Sequence, residues 1–265
     1  VVAALLLFRL ARDVFDDDVA LWAVAFLGFY PGSLFLSAGY TEALTLVWIL
    51  ACFLMLQQAR FLIAAVFAAL ALASRSTGIA LVPVLLWALW RHVGCDVRRL
   101  ALHGGAVTAI ALSGLAMFML YQWRAFSDPL AFSHAQAAWG VPALREQVAA
   151  VLTLRPLWHV QVGASPSGLN VWVATLVVVA IVAGWNRLPS SMTVFMLGVL
   201  LLPILVFAAS SGFESMVRFE LLSFPVFLVL PVVLRCSALR IALLALFSGL
   251  LGLYSALFSQ WFWVA

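Results

Sequence analysis

Lysine is absent from this chain of 265 residues: all 14 basic residues are arginine, and only 10 residues are acidic. Charged residues make up 9% of the sequence and hydrophobic residues 66%, whereas soluble domains have about 25% charged and about 45–50% apolar residues. So few charged residues are not enough to cover a protein surface that faces water. The small net charge of +4 is scattered along the chain, which argues against nucleic-acid binding. We therefore expect an integral membrane protein.

Cysteine is also scarce, and the three cysteines, Cys52, Cys95 and Cys236, lie far apart in the sequence. Their number and spacing fit neither a disulfide framework nor a zinc site. Alternation of apolar and polar residues is missing too, so a membrane β-barrel is excluded. What the chain has instead is a series of continuous apolar runs. They cover residues 19–36, 43–56, 61–90, 100–123, 171–185, 192–209, 219–234 and 241–264.

The run 61–90 is either one span or two half-length passes that meet at Ser74-Arg75-Ser76-Thr77-Gly78. With two passes, nine arginines lie in short loops on one side and five lie opposite. With one pass, Arg75 lies inside the bilayer at a cost of about 2.5–3.5 kcal/mol, and the other arginines split seven to six. Only two passes satisfy the positive-inside rule. We therefore predict an all-α polytopic transmembrane bundle of about nine full spans plus a partial first one.

This assignment places the polar segments 37–42, 74–78, 124–170 and 210–218 on the outer face. We treat 1–265 as a single transmembrane domain in which 124–170 is an outer loop. Residues 142–154 of that loop predict an amphipathic helix, which lies on the membrane surface or packs as an ordinary helix. The chain opens in an apolar run, 1–8, that is too short to span and has no initiator Met. We expect a first helix and a first outer loop to precede Val1.

The most informative polar cluster lies in the segment 30–44, where Tyr40, Thr41 and Glu42 follow an apolar run. The local interpretation is a helix N-terminus, at which Thr41 caps and Glu42 faces the helix dipole. Arg75 and Arg218 share the predicted outer face. Each is either an interfacial arginine that extends to the headgroups or a phosphate contact, and together they could flank one anionic headgroup.

Four segments in this order resemble the bacterial branch of the PIG-V family, the second mannosyltransferase of glycosylphosphatidylinositol assembly. Residues 31–42 are similar to its Pro-x-Ser-x-Phe-x-Ser-x-x-Tyr-x-Glu pattern, and 74–78 to its Thr/Ser-Arg-Ser-Asn/Thr-Gly segment. Residues 127–136, with Trp139-Gly140 after them, resemble its Asp-Pro-Leu-Ala-Phe-x-x-x-Gln segment. Residues 217–225 resemble its Pro-Arg-Tyr…Phe-Pro pattern, except that Val217 and Phe219 replace Pro and Tyr.

The resemblance implies a GT-C-type membrane glycosyltransferase that moves mannose from a polyprenyl-phosphate donor to a lipid-linked acceptor outside the cytosol. Its partners are then these lipids and the membrane, not nucleic acid. It also implies a catalytic Asp in the first outer loop, before Val1, so we expect the chain alone to be inactive. No cofactor is assigned, and a divalent metal ion stays open. The candidate substrate-binding residues are Tyr40, Glu42, Arg75, Asp128, Gln136 and Arg218.

Asp16-Asp17-Asp18 invites a metal-dependent interpretation, but it directly precedes an apolar helix, where N-terminal capping explains it. His134 and His159 are too far apart to predict a metal site. The arginine-only composition favours a bacterial plasma membrane over an endoplasmic reticulum membrane. A transporter or flippase for lipid-linked or amphipathic substrates is the alternative function, with a non-catalytic scaffold third. The lack of an internal repeat and of ionisable residues at the midplane counts against a transporter.

Overall fold

The computed structural model describes residues 1–136, 144–153, 168–206 and 215–262. These residues form helices and contain no strand, which confirms the predicted all-α class. The α-helices are α1 (Val2–Val14), α2 (Asp17–Phe29), α3 (Glu42–Gln57), α4 (Phe61–Ser74), α5 (Leu81–Val93), α6 (Val97–Phe126), α7 (Ala131–Gln136), α8 (Leu144–Leu152), α9 (Gly168–Gly184), α10 (Ser190–Val206), α11 (Met216–Phe219), α12 (Pro225–Val233) and α13 (Ser237–Ser259). Short 3-10 helices cover Pro31–Leu36, Ser76–Ala80 and Glu220–Leu222.

Three helical segments of the described ranges are long and apolar enough to cross a bilayer: Ser76–Val93, α6 and α13. A fourth is formed if Met216–Leu222 and Pro225–Val233 count as one span, bent by 88°. Four other apolar helices have 10–17 residues, so each reaches at most about 26 Å, against a hydrocarbon core of about 30 Å. The apolar helices support an integral membrane protein. The count of nine spans stays a prediction.

Polar breaks interrupt three of the apolar runs. The predicted break in the run 61–90 is confirmed, because α4 ends at Ser74 and α5 begins at Leu81. The run 19–36 was expected to form one helix, and this expectation is wrong. Helix α2 ends at Phe29, because the residue before a proline is disfavoured in the helical region and Pro31 follows Tyr30. In the run 219–234, Pro225 and Pro231 predict kinks or short helices, and the structure has a bend there, ahead of Pro225.

Helix α4 lies between α3 and α6 and packs against both. Its buried residues include four alanines that are at most 1% exposed: Ala64, Ala65, Ala68 and Ala71. Small side chains let helix backbones approach closely in a membrane, where packing rather than the hydrophobic effect holds helices together. This packing fixes the C-terminal end of α4, and with it Arg75, relative to α3.

The opposite end of the bundle holds the three aspartates of 16–18. Asp16 is the N-cap of α2, and its carboxylate accepts the Val19 N–H at 2.8 Å. Asp18 pairs with Arg240 at 2.6 Å. The predicted capping role is therefore confirmed for Asp16, and Asp18 links α2 to α13.

Candidate functional site

The main polar cluster forms around Glu42, the first residue of α3, whose side chain is 0% exposed. Arg75 donates from Nη1 to Glu42 Oε1 at 2.7 Å. Arg218 donates from Nε to the same oxygen. The three residues come from separate polar breaks, so the cluster joins the beginning of α3, the end of α4 and the short helix α11.

Two guanidinium groups face one carboxylate in this cluster, which leaves an excess of one positive charge. The side chains of Arg75 and Arg218 are 15% and 16% exposed, so both reach the surface. Among the described residues, the buried Arg75 Nε and Glu42 Oε2 atoms have no hydrogen-bond partner. An excess cationic charge with an unused N–H donor suits an anionic ligand such as a phosphate.

Aromatic rings surround the two arginines. The Arg218 guanidinium lies 4.4 Å from the centroid of the Tyr40 ring and 5.3 Å from that of Phe35. The Arg75 guanidinium lies 5.7 Å from the Phe219 ring. Cation–π contacts of this kind hold a guanidinium in place without neutralising its charge. The sequence analysis did not assign Phe35 or Phe219 to the site, although both belong to the motifs quoted there.

Two glycines allow the backbone approaches on which the cluster depends. An ideal Cβ on Gly32 would lie 2.5 Å from the Val217 carbonyl oxygen, next to Arg218. A Cβ on Gly78 would lie 2.6 Å from the Leu72 backbone nitrogen, at the end of α4. Both distances are too short for a side chain. Glycine at these positions therefore brings the Pro31–Leu36 turn against α11 and folds the Ser76–Ala80 turn back onto α4.

A cavity of about 170 Å³ adjoins Arg75. Residues 72–76 form one wall, Leu115 and Phe118 of α6 form another, and Phe132 of α7 completes it. Ala73 and Ser76 are exposed, so the cavity reaches the surface. Apolar atoms dominate this lining, and Arg75 is its one charged side chain. The cavity therefore offers a cation next to apolar walls.

Asp128 and Gln136 do not belong to the cluster around Glu42. Asp128 precedes α7, and Gln136 ends it. Asp128 accepts the Leu130 N–H at 2.9 Å, and His134 donates from Nδ1 to the other carboxylate oxygen at 2.7 Å. The hydrogen bonds from His134 and then Leu130 lower the pKa of Asp128. Gln136 is the exposed last residue of α7. Both stay predicted substrate contacts, and their helix reaches the Arg75 cavity through Phe132.

The structure thus brings together Tyr40, Glu42, Arg75 and Arg218 of the six predicted site residues. Thr41 is the N-cap residue of α3, but its side chain makes no capping hydrogen bond, so the predicted capping contact is wrong. Trp139, Gly140, Pro142, Arg155 and His159 lie outside the described residues. Helix α8 covers Leu144–Leu152, and its predicted place on the membrane surface stays a prediction.

Sequence reasoning missed Glu220, a second buried carboxyl group that is 2% exposed. Among the described residues, neither of its carboxylate oxygens makes a well-formed hydrogen bond, although the Ser223 hydroxyl group interacts with this carboxyl group. The Tyr30 hydroxyl group also lacks a partner there. Glu220 was visible in the sequence as the one acidic residue of the run 219–234. It lies at the 88° bend, only two residues from Arg218.

No described group of three or more His, Cys, Asp and Glu side chains could hold a metal ion. No curated protein and no solved structure matches the chain significantly. Residues 1–123 match the family model of dolichyl-phosphate-mannose-protein mannosyltransferases. The matched part is a little under half of the chain and includes Glu42 and Arg75, but not Arg218. Together with the apolar helices, this similarity supports a membrane glycosyltransferase of the GT-C type.

Proposed function

We propose that this protein transfers a sugar from a polyprenyl-phosphate donor to a lipid-linked acceptor on the non-cytosolic side. The family match favours mannose as that sugar. The observation that carries the proposal is the pair Arg75 and Arg218, held by one buried carboxylate beside an apolar cavity. A polyprenyl phosphate has the matching chemistry, because it joins an anionic phosphate directly to an apolar chain. The narrower PIG-V assignment and the bacterial plasma membrane remain part of this proposal.

The cations have a defined role in such a reaction. When the sugar leaves its phosphate, negative charge builds up on the phosphate oxygens, and fixed guanidinium groups stabilise that charge. Arginine suits this role because its guanidinium group stays charged and can donate two parallel hydrogen bonds to two oxygens of one phosphate. The contacts with Glu42, Tyr40 and Phe35 hold Arg218 in place before the ligand arrives.

Glu42 is a poor candidate for the base that activates the acceptor. Its side chain is 0% exposed, and both arginines bind its Oε1 atom. A general base must reach the acceptor hydroxyl within hydrogen-bond distance. We therefore assign Glu42 to positioning the arginines and name no catalytic base among the described residues.

Binding of farnesyl phosphate in detergent micelles, measured by titration calorimetry, tests the proposal. Arg75→Gln removes one cation but leaves Glu42 paired with Arg218. We expect the dissociation constant to rise about tenfold or more, because a hydrogen bond to a charged group contributes about 1.5–3 kcal/mol. Farnesol has the same chain without the phosphate, so the two proteins should bind it equally.

Arg99→Gln is the matched control, because the Arg99 side chain is 73% exposed and pairs with Asp96, three residues before it. Its affinity for farnesyl phosphate should equal that of the parent protein. If Arg75→Gln also left the affinity unchanged, or if the parent protein bound farnesol as tightly as farnesyl phosphate, the cluster would not be a phosphate site.

A transporter or flippase is the second candidate, and one observation favours it. The 88° bend carries the buried Glu220, and transporters place ionisable groups at discontinuous helices within the membrane. Reconstituted vesicles separate the two functions. Movement of a labelled polyprenyl phosphate between leaflets, without sugar transfer by the protein, would favour the transporter.

A further inference from the structure

Helix α7 contributes one aromatic ring, that of Phe132, to the wall of the Arg75 cavity. Phe132 packs against Phe118 of α6, with ring centroids 5.6 Å apart. It is half-buried like Ala131, whereas the last four residues of α7 are exposed. Phe132 is therefore the one large side chain of this short helix that faces the protein.

The position of Phe132 depends on a single turn before it. Asp128 Oδ1 accepts the Leu130 N–H and Asp128 Oδ2 accepts from His134, so one carboxylate ties the beginning of α7 to its middle. Ser127 at the end of α6 has a positive φ of 57°, which reverses the chain so that α7 returns to α6. The Asp128–His134 contact thus joins the turn before α7 to a residue two positions after Phe132.

The size of the cavity indicates what it accepts. At about 170 Å³ it far exceeds the roughly 10–15 Å³ needed for one water molecule. It is comparable to an apolar cavity of roughly 150 Å³ in another protein, which binds benzene. An isoprene unit has five carbon atoms and is therefore of similar size. With Arg75 in its wall, the cavity therefore offers a space comparable to one isoprene unit next to a cation.

We propose that Phe132 determines which chain the site accepts by packing against the first isoprene unit of the lipid phosphate, and that Asp128 and His134 are positioning residues that hold Phe132 there. This deepens the proposed function and depends on it for the identity of the ligand. It also gives the Asp-Pro-Leu-Ala-Phe segment a role distinct from direct contact with the phosphate.

The first experiment compares three probes, inorganic phosphate, dodecyl phosphate and farnesyl phosphate, by titration calorimetry. Phe132→Ala should weaken farnesyl phosphate binding about tenfold, because roughly two methylene-sized contacts are lost, and leave inorganic phosphate unchanged. Phe132→Leu, which keeps an apolar wall, should restore part of the affinity. Arg75→Gln should weaken the binding of all three probes.

If Phe132→Ala lost affinity equally for all three probes, the proposed role of Phe132 in selecting the lipid chain would be overturned. Equal binding of dodecyl and farnesyl phosphate by the parent protein would overturn it too, because the cavity would then accept any membrane lipid phosphate. If the parent protein bound none of the probes, the proposed function would fail and the assignment of the ligand with it.

The second experiment tests the positioning role without any ligand. A Cys95→Ser, Cys236→Ser background leaves Cys52, which is buried. The thiol introduced by Phe132→Cys should react slowly with a water-soluble maleimide, and Asp128→Asn or His134→Ala should speed the reaction about two- to fivefold, as expected for an exposed pair. The thiol from Ser133→Cys, an exposed neighbour, should react fast in every case. An unchanged Phe132→Cys rate would overturn the positioning role of Asp128 and His134.

Discussion

Glu42 and Glu220 are both buried, with 0% and 2% of their surfaces exposed, but their surroundings are opposite. Glu42 has two guanidinium partners, whereas neither oxygen of Glu220 makes a well-formed hydrogen bond among the described residues. Both lie at breaks in apolar runs. Because burying a charge is costly unless it is paired, the two residues cannot have the same role.

The difference shows how the protein holds an excess of positive charge near a membrane. Glu42 compensates for one of the two positive charges, so one positive charge is left to attract an anion. Glu220 pairs with no cation among the described residues, although it is only two residues from Arg218 in the sequence. Its neighbours include the Tyr30 ring, which packs against Phe227 with centroids 5.4 Å apart. The first glutamate is therefore expected to stabilise the fold, and the second to cost stability.

The largest expected effect belongs to Glu42→Ala. Removing the carboxylate leaves two mostly buried guanidinium groups next to each other without their partner, which costs about 3–5 kcal/mol. Thermal unfolding in detergent, followed by tryptophan fluorescence, should show a large fall in the midpoint.

The double variant Glu42→Ala, Arg218→Ala is the control for this prediction. It removes one of the two cations that repel each other. The double variant should therefore lose less unfolding free energy than the sum of the losses in the two single variants. Strictly additive losses would mean that Glu42 and Arg218 do not interact, and the contrast with Glu220 would disappear.

Glu220→Met should have an intermediate effect of the opposite sign. Methionine replaces two buried oxygens that lack a well-formed hydrogen bond among the described residues by an apolar group of similar volume, so the unfolding free energy should rise by about 1–3 kcal/mol. Glu146→Met is the matched control, because Glu146 is exposed on α8 and its replacement should change stability by less than about 0.5 kcal/mol. A destabilised Glu220→Met variant would show that Glu220 has a favourable role in the folded protein.

The smallest effect is expected for Asp18→Asn, at the opposite end of the bundle. The Asp18 side chain is 62% exposed, so its pair with Arg240 should contribute only about 0.2–1 kcal/mol. Arg240→Gln should cost more, because Arg240 also donates to the Leu234 and Pro231 carbonyl oxygens. If Asp18→Asn lowered the unfolding free energy as much as Glu42→Ala, burial would not explain why the Glu42 cluster and the Asp18–Arg240 pair differ.

Local chemistry made part of this structure predictable. The capping by Asp16 depends on neighbouring residues, and the break at Arg75 follows from the cost of a charge in the bilayer. The break before Pro31 was also readable, because proline restricts the residue before it, but the apolar run hid it. The sequence analysis predicted that Arg75 and Arg218 could flank one anion. It did not predict that Glu42 would be an anion between them, because such contacts depend on packing of distant helices.

The separation of these residues along the chain also determines when the cluster can form during synthesis. Glu42 and Arg75 meet once α3 and α4 are in the membrane, but Arg218 follows 143 residues after Arg75. At about 5–20 residues per second, the ribosome needs roughly 7–30 s to reach it. During that interval Glu42 and Arg75 form a neutral pair. The excess positive charge therefore appears only late in membrane insertion, after most of the helices that surround the site have been made.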